Sequence, residues 1–324
     1  MVSEVKYIKL DVNGLLDLDK LSQEYQISKT ELIHFHNDHC AISELLPLDL
    51  PKYVPHIYLP KDHFNSKRLN LLVTNILSYP TSKSEKTYGV VVKYLHTDTQ
   101  LHYEINVKRD HGFVEISKKK NYVNNAEVDN IIEKLYEAAE KTLYPLKVSV
   151  TGNGSLLRIE NEKEILKRWE NDTLPQLKEY YVGSTSEEIL GKMNLVFKNL
   201  NARRDFLLKS SFYRLFFLPV YQSYLGYKKE GNVDFYFAGI QQYISYDLDF
   251  LLKKEYTRGA KIALQITGNE RDTIFNKKDK KGVVDLLYKF NKDLHELYSV
   301  TGFVSAFDND KELRIEFQLF EIEK

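Results

Sequence analysis

The chain has 324 residues, 46 Lys plus Arg against 46 Asp plus Glu, and a hydrophobic share of 43 %. That length accommodates two domains, or one small module and one larger one. Zero net charge gives no global pull toward nucleic acid or an anionic membrane, and a single cysteine excludes an internal disulfide. The opening MVSEVKYIKLDVNG is charged where a signal peptide needs an apolar run. The best apolar run, Leu215 to Tyr221, falls far short of the ~20 residues that span a bilayer. Cytoplasmic synthesis without membrane insertion is therefore expected, and signal-independent export stays open. The aromatic complement, Tyr 23 and Phe 17 with Trp 1, suits a sheet with one wet face.

In chain order, Val5 to Leu10 alternates as a short strand and Asn13-Gly14 signals a turn. Leu18, Leu21 and Tyr25 then form one helical stripe. Ser28 stands three residues before Glu31, the spacing of a capping box, and opens a second helix bearing Leu32, Ile33 and Phe35. After a proline-bearing loop, His56 to Pro60 reads as a closing strand. The order is strand, helix, helix, strand.

Leu18-x-x-Leu21-Ser22-x-x-Tyr25-x-Ile27-Ser28-x-x-Glu31-Leu32, then Asn37, then Ile57-Tyr58-Leu59-Pro60 resembles a LysM domain over residues 3–62. Leu15-Leu16-Asp17 stands where that family has Gly-Asp-Thr. The resemblance implies a βααβ module that binds N-acetylglucosamine-containing glycans such as peptidoglycan or chitin. The family's groove lies between the loop after strand one and the loop before strand two. By resemblance the glycan residues are Asn13, Gly14, Leu15, Leu46, Leu48 and Asp49. LysM-like modules also occur in contractile secretion and phage-tail machines, where the partner can be a protein.

The stretch HFHNDHC, from His34 to Cys40, invites a metal or thiol reading, with His56 and His63 close behind. At about 100° per residue, His36 and Cys40 share a helix face. Zinc, however, favours paired ligands in two separated clusters, and neither CxxC nor HExxH occurs. The alternative is that Asn37 and Asp38 end the helix, with histidines at its rim and Cys40 as an apolar filler.

Residues 63–86 read as a linker, most clearly at Thr81 to Lys86, and residues 87–324 as an α+β domain. Three strands lie between Tyr88 and Lys118, followed by a helix at Val128 to Lys141. Leu146 to Ile159 is a hairpin turning at Gly152-Asn153-Gly154. Helices are expected at Glu162–Tyr180, Glu187–Leu200 and Ala202–Lys209, the middle one opened by a Ser184-x-x-Glu187 capping box. From Phe212 onward strands are expected at Val233–Gly239, Ala260–Thr267, Thr301–Phe307 and Leu313–Ile322, with a helix at Val283–Tyr298. Strands and helices cluster instead of alternating, which favours an antiparallel sheet with packed helices. Two strand pairs beside long helices leave two similar halves open.

Catalytic motifs are sparse. Gly152-x-Gly154 lacks the rest of a phosphate loop, and Asp308-Asn309-Asp310 lacks the glycine of a calcium loop. Asn276 to Lys281 reads as a solvated loop, and the tyrosines from Tyr221 to Tyr246 as sheet packing before a binding surface. No cofactor is expected. The leading expectation is a non-catalytic adaptor whose first module docks on a glycan or a protein. The alternatives are an enzyme with a dispersed site in the larger domain and a metal-binding protein using the His34–Cys40 cluster.

Overall fold

A computed structural model describes residues 7–12, 16–25, 27, 29–47, 54–60, 72, 74–124, 126–127, 130–257, 261–271 and 280–322. The chain divides into two units, Met1–Leu71 and Leu72–Lys324.

In the first unit, strand β1 (Tyr7–Asp11) is followed by helices α1 (Leu18–Tyr25) and α2 (Lys29–Asn37), a 3-10 turn (Ile42–Glu44) and strand β2 (His56–Pro60). The two strands pair antiparallel, Ile8 opposite Leu59 and Leu10 opposite Ile57. The Asp17 carboxylate caps α1, accepting the amides of Asp19 and Lys20 at 3.1 and 2.9 Å. Leu18, Ile27, Leu32, Ile33, Ile57 and Leu59 form one core with Leu21 and Tyr25 against it, so the apolar pattern read from the sequence faces inward. Ser28 and the proposed start of the first strand at Val5 lie outside the described residues.

The second unit is a mixed helix and sheet structure. Its sheet comprises β3 (Ser84–Tyr94), β4 (Thr99–Asp110), β5 (Phe113–Val123), β6 (Ala126–Glu127), β7 (Leu146–Val150), β8 (Leu156–Ile159), β9 (Lys228–Phe237), β10 (Gln242–Leu252), β11 (Lys261–Glu270), β12 (Val283–Asn291), β13 (Leu297–Asp308) and β14 (Lys311–Glu321). The order is β8-β7-β5-β4-β3-β14-β13-β12-β11-β10-β9, with β6 on β5, and the pairings are antiparallel. Helix α3 (Ile131–Thr142) precedes β7. Between β8 and β9 run α4 (Glu162–Arg168), a π turn (Trp169–Thr173), α5 (Leu174–Tyr180), α6 (Ser184–Phe197), a 3-10 turn (Arg204–Lys209) and α7 (Ser211–Phe216).

Alternation along the strands gives the sheet one buried face: Tyr88, Val90 and Val92 on β3, Leu248 and Phe250 on β10, Phe317 and Leu319 on β14. Short helix α7 is the peg in that face. Its Phe212 and Phe216 rings meet Tyr103 and Tyr88 edge-on at 6.3 and 6.4 Å, and the Leu215 carbonyl accepts the Tyr288 hydroxyl at 2.9 Å. The sheet curls around it. Tyr246 on β10 donates to the Ser305 carbonyl on β13 at 2.6 Å, although three strand spacings on a flat sheet amount to roughly 14 Å.

Four sequence expectations change. Val283–Tyr298 is not a helix: Val284, Leu286, Tyr288 and Phe290 are buried with period two, and strands β12 and β13 fill the segment. Leucines on both strand faces reproduced a helical spacing. That replacement also removes the second helix on which two similar halves depended. Thr81–Lys86 does not act as a separate linker, because β3 begins at Ser84 and Leu77 is already buried in the second unit. Ser184 is the first residue of helix α6 and not its cap; the N-cap is Gly183, at φ 102°. Gln242–Leu252, for which the sequence pattern predicts no strand, is β10.

Candidate functional site

The histidine stretch closes α2, and the structure uses it to fasten a loop. His36 is fully buried. Its Nδ1 accepts the Tyr58 amide of β2 at 3.2 Å, so the ring proton sits on Nε2 and is donated to the Glu44 carbonyl at 3.0 Å. Asn37 grips Leu46 from both sides: its amide donates to the Leu46 carbonyl at 3.0 Å, and its side-chain oxygen accepts the Leu46 amide at 2.8 Å. Glu44 in turn approaches His56 at 3.3 Å. Two adjacent residues thus tie the end of α2 to the 3-10 turn, to the following loop and to β2.

The other members of the stretch are spent locally. His39 stacks on Phe35 with centroids 4.2 Å apart, and its Nδ1 lies 2.7 Å from the Phe35 carbonyl. The Cys40 thiol is 3.9 Å from the Asn37 carbonyl, and His34 is exposed. Among the described residues no group of three His, Cys, Asp or Glu side chains is placed to hold a metal ion. His63 lies outside them.

Of the residues assigned to a glycan groove, Leu46 is described, and its side chain is buried in the core of the first unit. Asn13, Gly14, Leu15, Leu48 and Asp49 lie outside the described residues. What is described is the frame on which their loops hang. The Val12 amide donates to the Pro55 carbonyl at 2.9 Å, joining the residue after β1 to the residue before β2. Leu46 is held from the far end by Asn37.

In the second unit the motifs that suggested chemistry are structural. Gly154, at φ 90°, closes the β7–β8 hairpin, where a Cβ would come within 2.7 Å of Tyr221. Asp308-Asn309-Asp310 is the turn between β13 and β14, with Asn309 at φ 54°. Tyr221, Tyr224 and Tyr246 are buried, and burial holds their hydroxyls protonated far above the ordinary tyrosine range. A buried charged cluster that the sequence did not reveal lies on β3 and its neighbours. Lys86 bridges Glu296 and Glu321 at 3.1 and 2.8 Å, and Arg109 donates to the Tyr79 hydroxyl at 2.8 Å with the Phe216 ring 5.4 Å away. These contacts pair segments distant along the chain.

No protein-family model matches the chain, and no curated protein matches it. Among the described residues no helix is long and apolar enough to cross a membrane.

Proposed function

We propose that the protein is a non-catalytic binding protein, an adaptor whose first unit is a LysM-like module that docks on an N-acetylglucosamine-containing glycan of the peptidoglycan type. The observation that carries this reading is the fastening of the first unit. β1 and β2 pair with both helices of the unit lying between them in the chain, Val12 is bonded to Pro55, and His36 and Asn37 secure the chain from Glu44 to Leu46. Fixed flanking residues lower the ordering cost when a ligand settles beside them, which supports a binding role for this unit. Of the histidines in the stretch from His34 to Cys40, His36 is engaged in the fastening. The resemblance sets such modules in cell-wall contact or in contractile secretion and phage-tail-like assemblies.

The test is co-sedimentation of the full chain with purified peptidoglycan, combined with amide shifts at Leu46 and its neighbours during titration with chitohexaose. Retention in the pellet and saturable shifts at that loop are expected. A protein left wholly in solution refutes the glycan version.

A protein partner is the second reading, favoured by exposed apolar side chains on and between the helices of the second unit. Tyr180 and Val182 are 75 % and 79 % exposed, beside Ile131, whose carbonyl accepts the Tyr181 hydroxyl at 3.1 Å. Co-purification of sheath or tail components with the full chain, lost on Val182→Asp, is its test.

A further inference from the structure

On a regular strand, residues 114, 116, 118 and 122 of β5 would all share the buried face. Val114 and Ile116 do, and Lys118 lies on the same side with its ammonium 4.0 Å from the Tyr103 ring centre. Between the pairs Tyr103–Asn121 and Ile105–Lys118 the register slips: two residues of β5 face one on β4, an insertion of one residue. Beyond this bulge the alternation inverts. Asn121 turns inward to Glu140 of α3 at 3.2 Å, and Tyr122 turns to the outer face opposite His102. A bulge that re-aims one side chain is a device found beside binding sites.

What it creates is an aromatic groove of about 600 Å³ across β14, β3, β4 and β5. Tyr122 and His102 stack with centroids 4.8 Å apart and planes 14° from parallel. Across the groove, Phe320 lies over Gly89 so closely that a Cβ there would stand 2.5 Å from the ring, and the phenylalanine remains 45 % exposed. Glu104 and Lys119, the two charged side chains lining it, neutralise each other at 2.6 Å, and Gln100 adds an amide.

We propose that this groove binds a neutral saccharide chain a few pyranose rings long. Aromatic faces accept the C–H face of a pyranose, while the tyrosine hydroxyl, imidazole, carboxylate and amide offer partners to its hydroxyl groups. The groove crosses three strand spacings, roughly 14 Å, which suits an oligosaccharide better than one ring. Its paired charges give no field for a polyanion. β3, β4 and β14 are each paired on both sides, so no free edge invites a peptide strand. The proposal is independent of the glycan reading of the first unit.

The full chain is titrated with hexasaccharides of N-acetylglucosamine, glucose, xylose and mannose while the His102 ring resonances, assigned with His102→Gln, are followed. At least one hexasaccharide is expected to shift them saturably. Tyr122→Ala should weaken binding roughly tenfold, the worth of one aromatic contact, and Tyr122→Phe should retain most of it. Gly89→Ala, which pushes Phe320 aside without removing a ring, should also weaken it. Stationary His102 resonances with all four sugars overturn the proposal. So does unchanged affinity in both Tyr122→Ala and Gly89→Ala. A hexasaccharide that shifts Leu46 but not His102 refutes this groove and leaves the first unit's reading standing.

Discussion

Replacing His36 with leucine separates a fastening role from a ligand role. Leucine keeps apolar bulk in the core but can neither accept from Tyr58 nor donate to Glu44, bonds now made at 3.2 and 3.0 Å. A buried polar group stripped of its partner costs about 1–3 kcal/mol. Both partners are partly buried, so the lower part of that range applies twice, about 2–4 kcal/mol in all. A unit of this length has roughly 4–10 kcal/mol to lose. Fluorescence will miss the effect, because Trp169, the single tryptophan, belongs to the second unit. Amide hydrogen exchange resolves it: protection of the β1–β2 amides should fall roughly 30- to 700-fold, while β3 to β14 stay as in the wild type. Protection within threefold of wild type at β1–β2 would refute the hydrogen-bond reasoning. Added zinc that raises wild-type protection there would return His36 to a ligand role.

Two further expectations concern the second unit. The Asn201 backbone amide, with help from its side chain, holds the Glu162 carboxyl below the ordinary carboxylate range, at 2.9 and 2.8 Å. A depressed pKa contributes stability above the unfolded-state value and loses it as pH falls through the folded-state value. Glu162→Gln should therefore be less stable than wild type near neutrality and approach it in acid; urea midpoints that differ equally at both ends contradict this. Trp169 is fully buried, stacks on Phe197 with centroids 4.1 Å apart and donates to Asn194 at 3.1 Å. Trp169→Ala should cost about 3–5 kcal/mol and Trp169→Phe, which keeps a stack but not the bond, markedly less, with an Ala variant as stable as the Phe variant in urea unfolding speaking against it.

Local pattern and turn chemistry made part of this structure legible. The first unit was readable because Leu18, Ile27, Leu32, Ile57 and Leu59 all obey one inward-facing pattern, and the β7–β8 hairpin because glycines bracket its turn. What stayed hidden depends on partners far along the chain. Nothing near His36 announces Tyr58, twenty-two residues on, as the donor to its ring. Val283 to Phe290 satisfied helical and strand spacing alike, and its neighbours β11 and β13 decided the matter. Tyr122 looks inward by simple alternation, and the bulge that turns it out arises from pairing with β4. The candidate groove was illegible for the same reason, since Gly89, His102, Tyr122 and Phe320 converge through register alone.

The pairing of β14 with β3 has a consequence for how the protein is made. Lys86 and Glu321, joined by an ion pair across these strands, are 235 residues apart. Synthesis at 5–20 residues per second puts roughly 10–50 s between their emergence. For that interval β3, with Tyr88, Val90, Val91 and Val92 in sequence, has only β4 beside it and one side unpaired. The nascent chain thus carries an open, apolar strand edge far longer than a hairpin takes to form. The lysines at 86 and 93 bracket that segment as charges that discourage association with other chains.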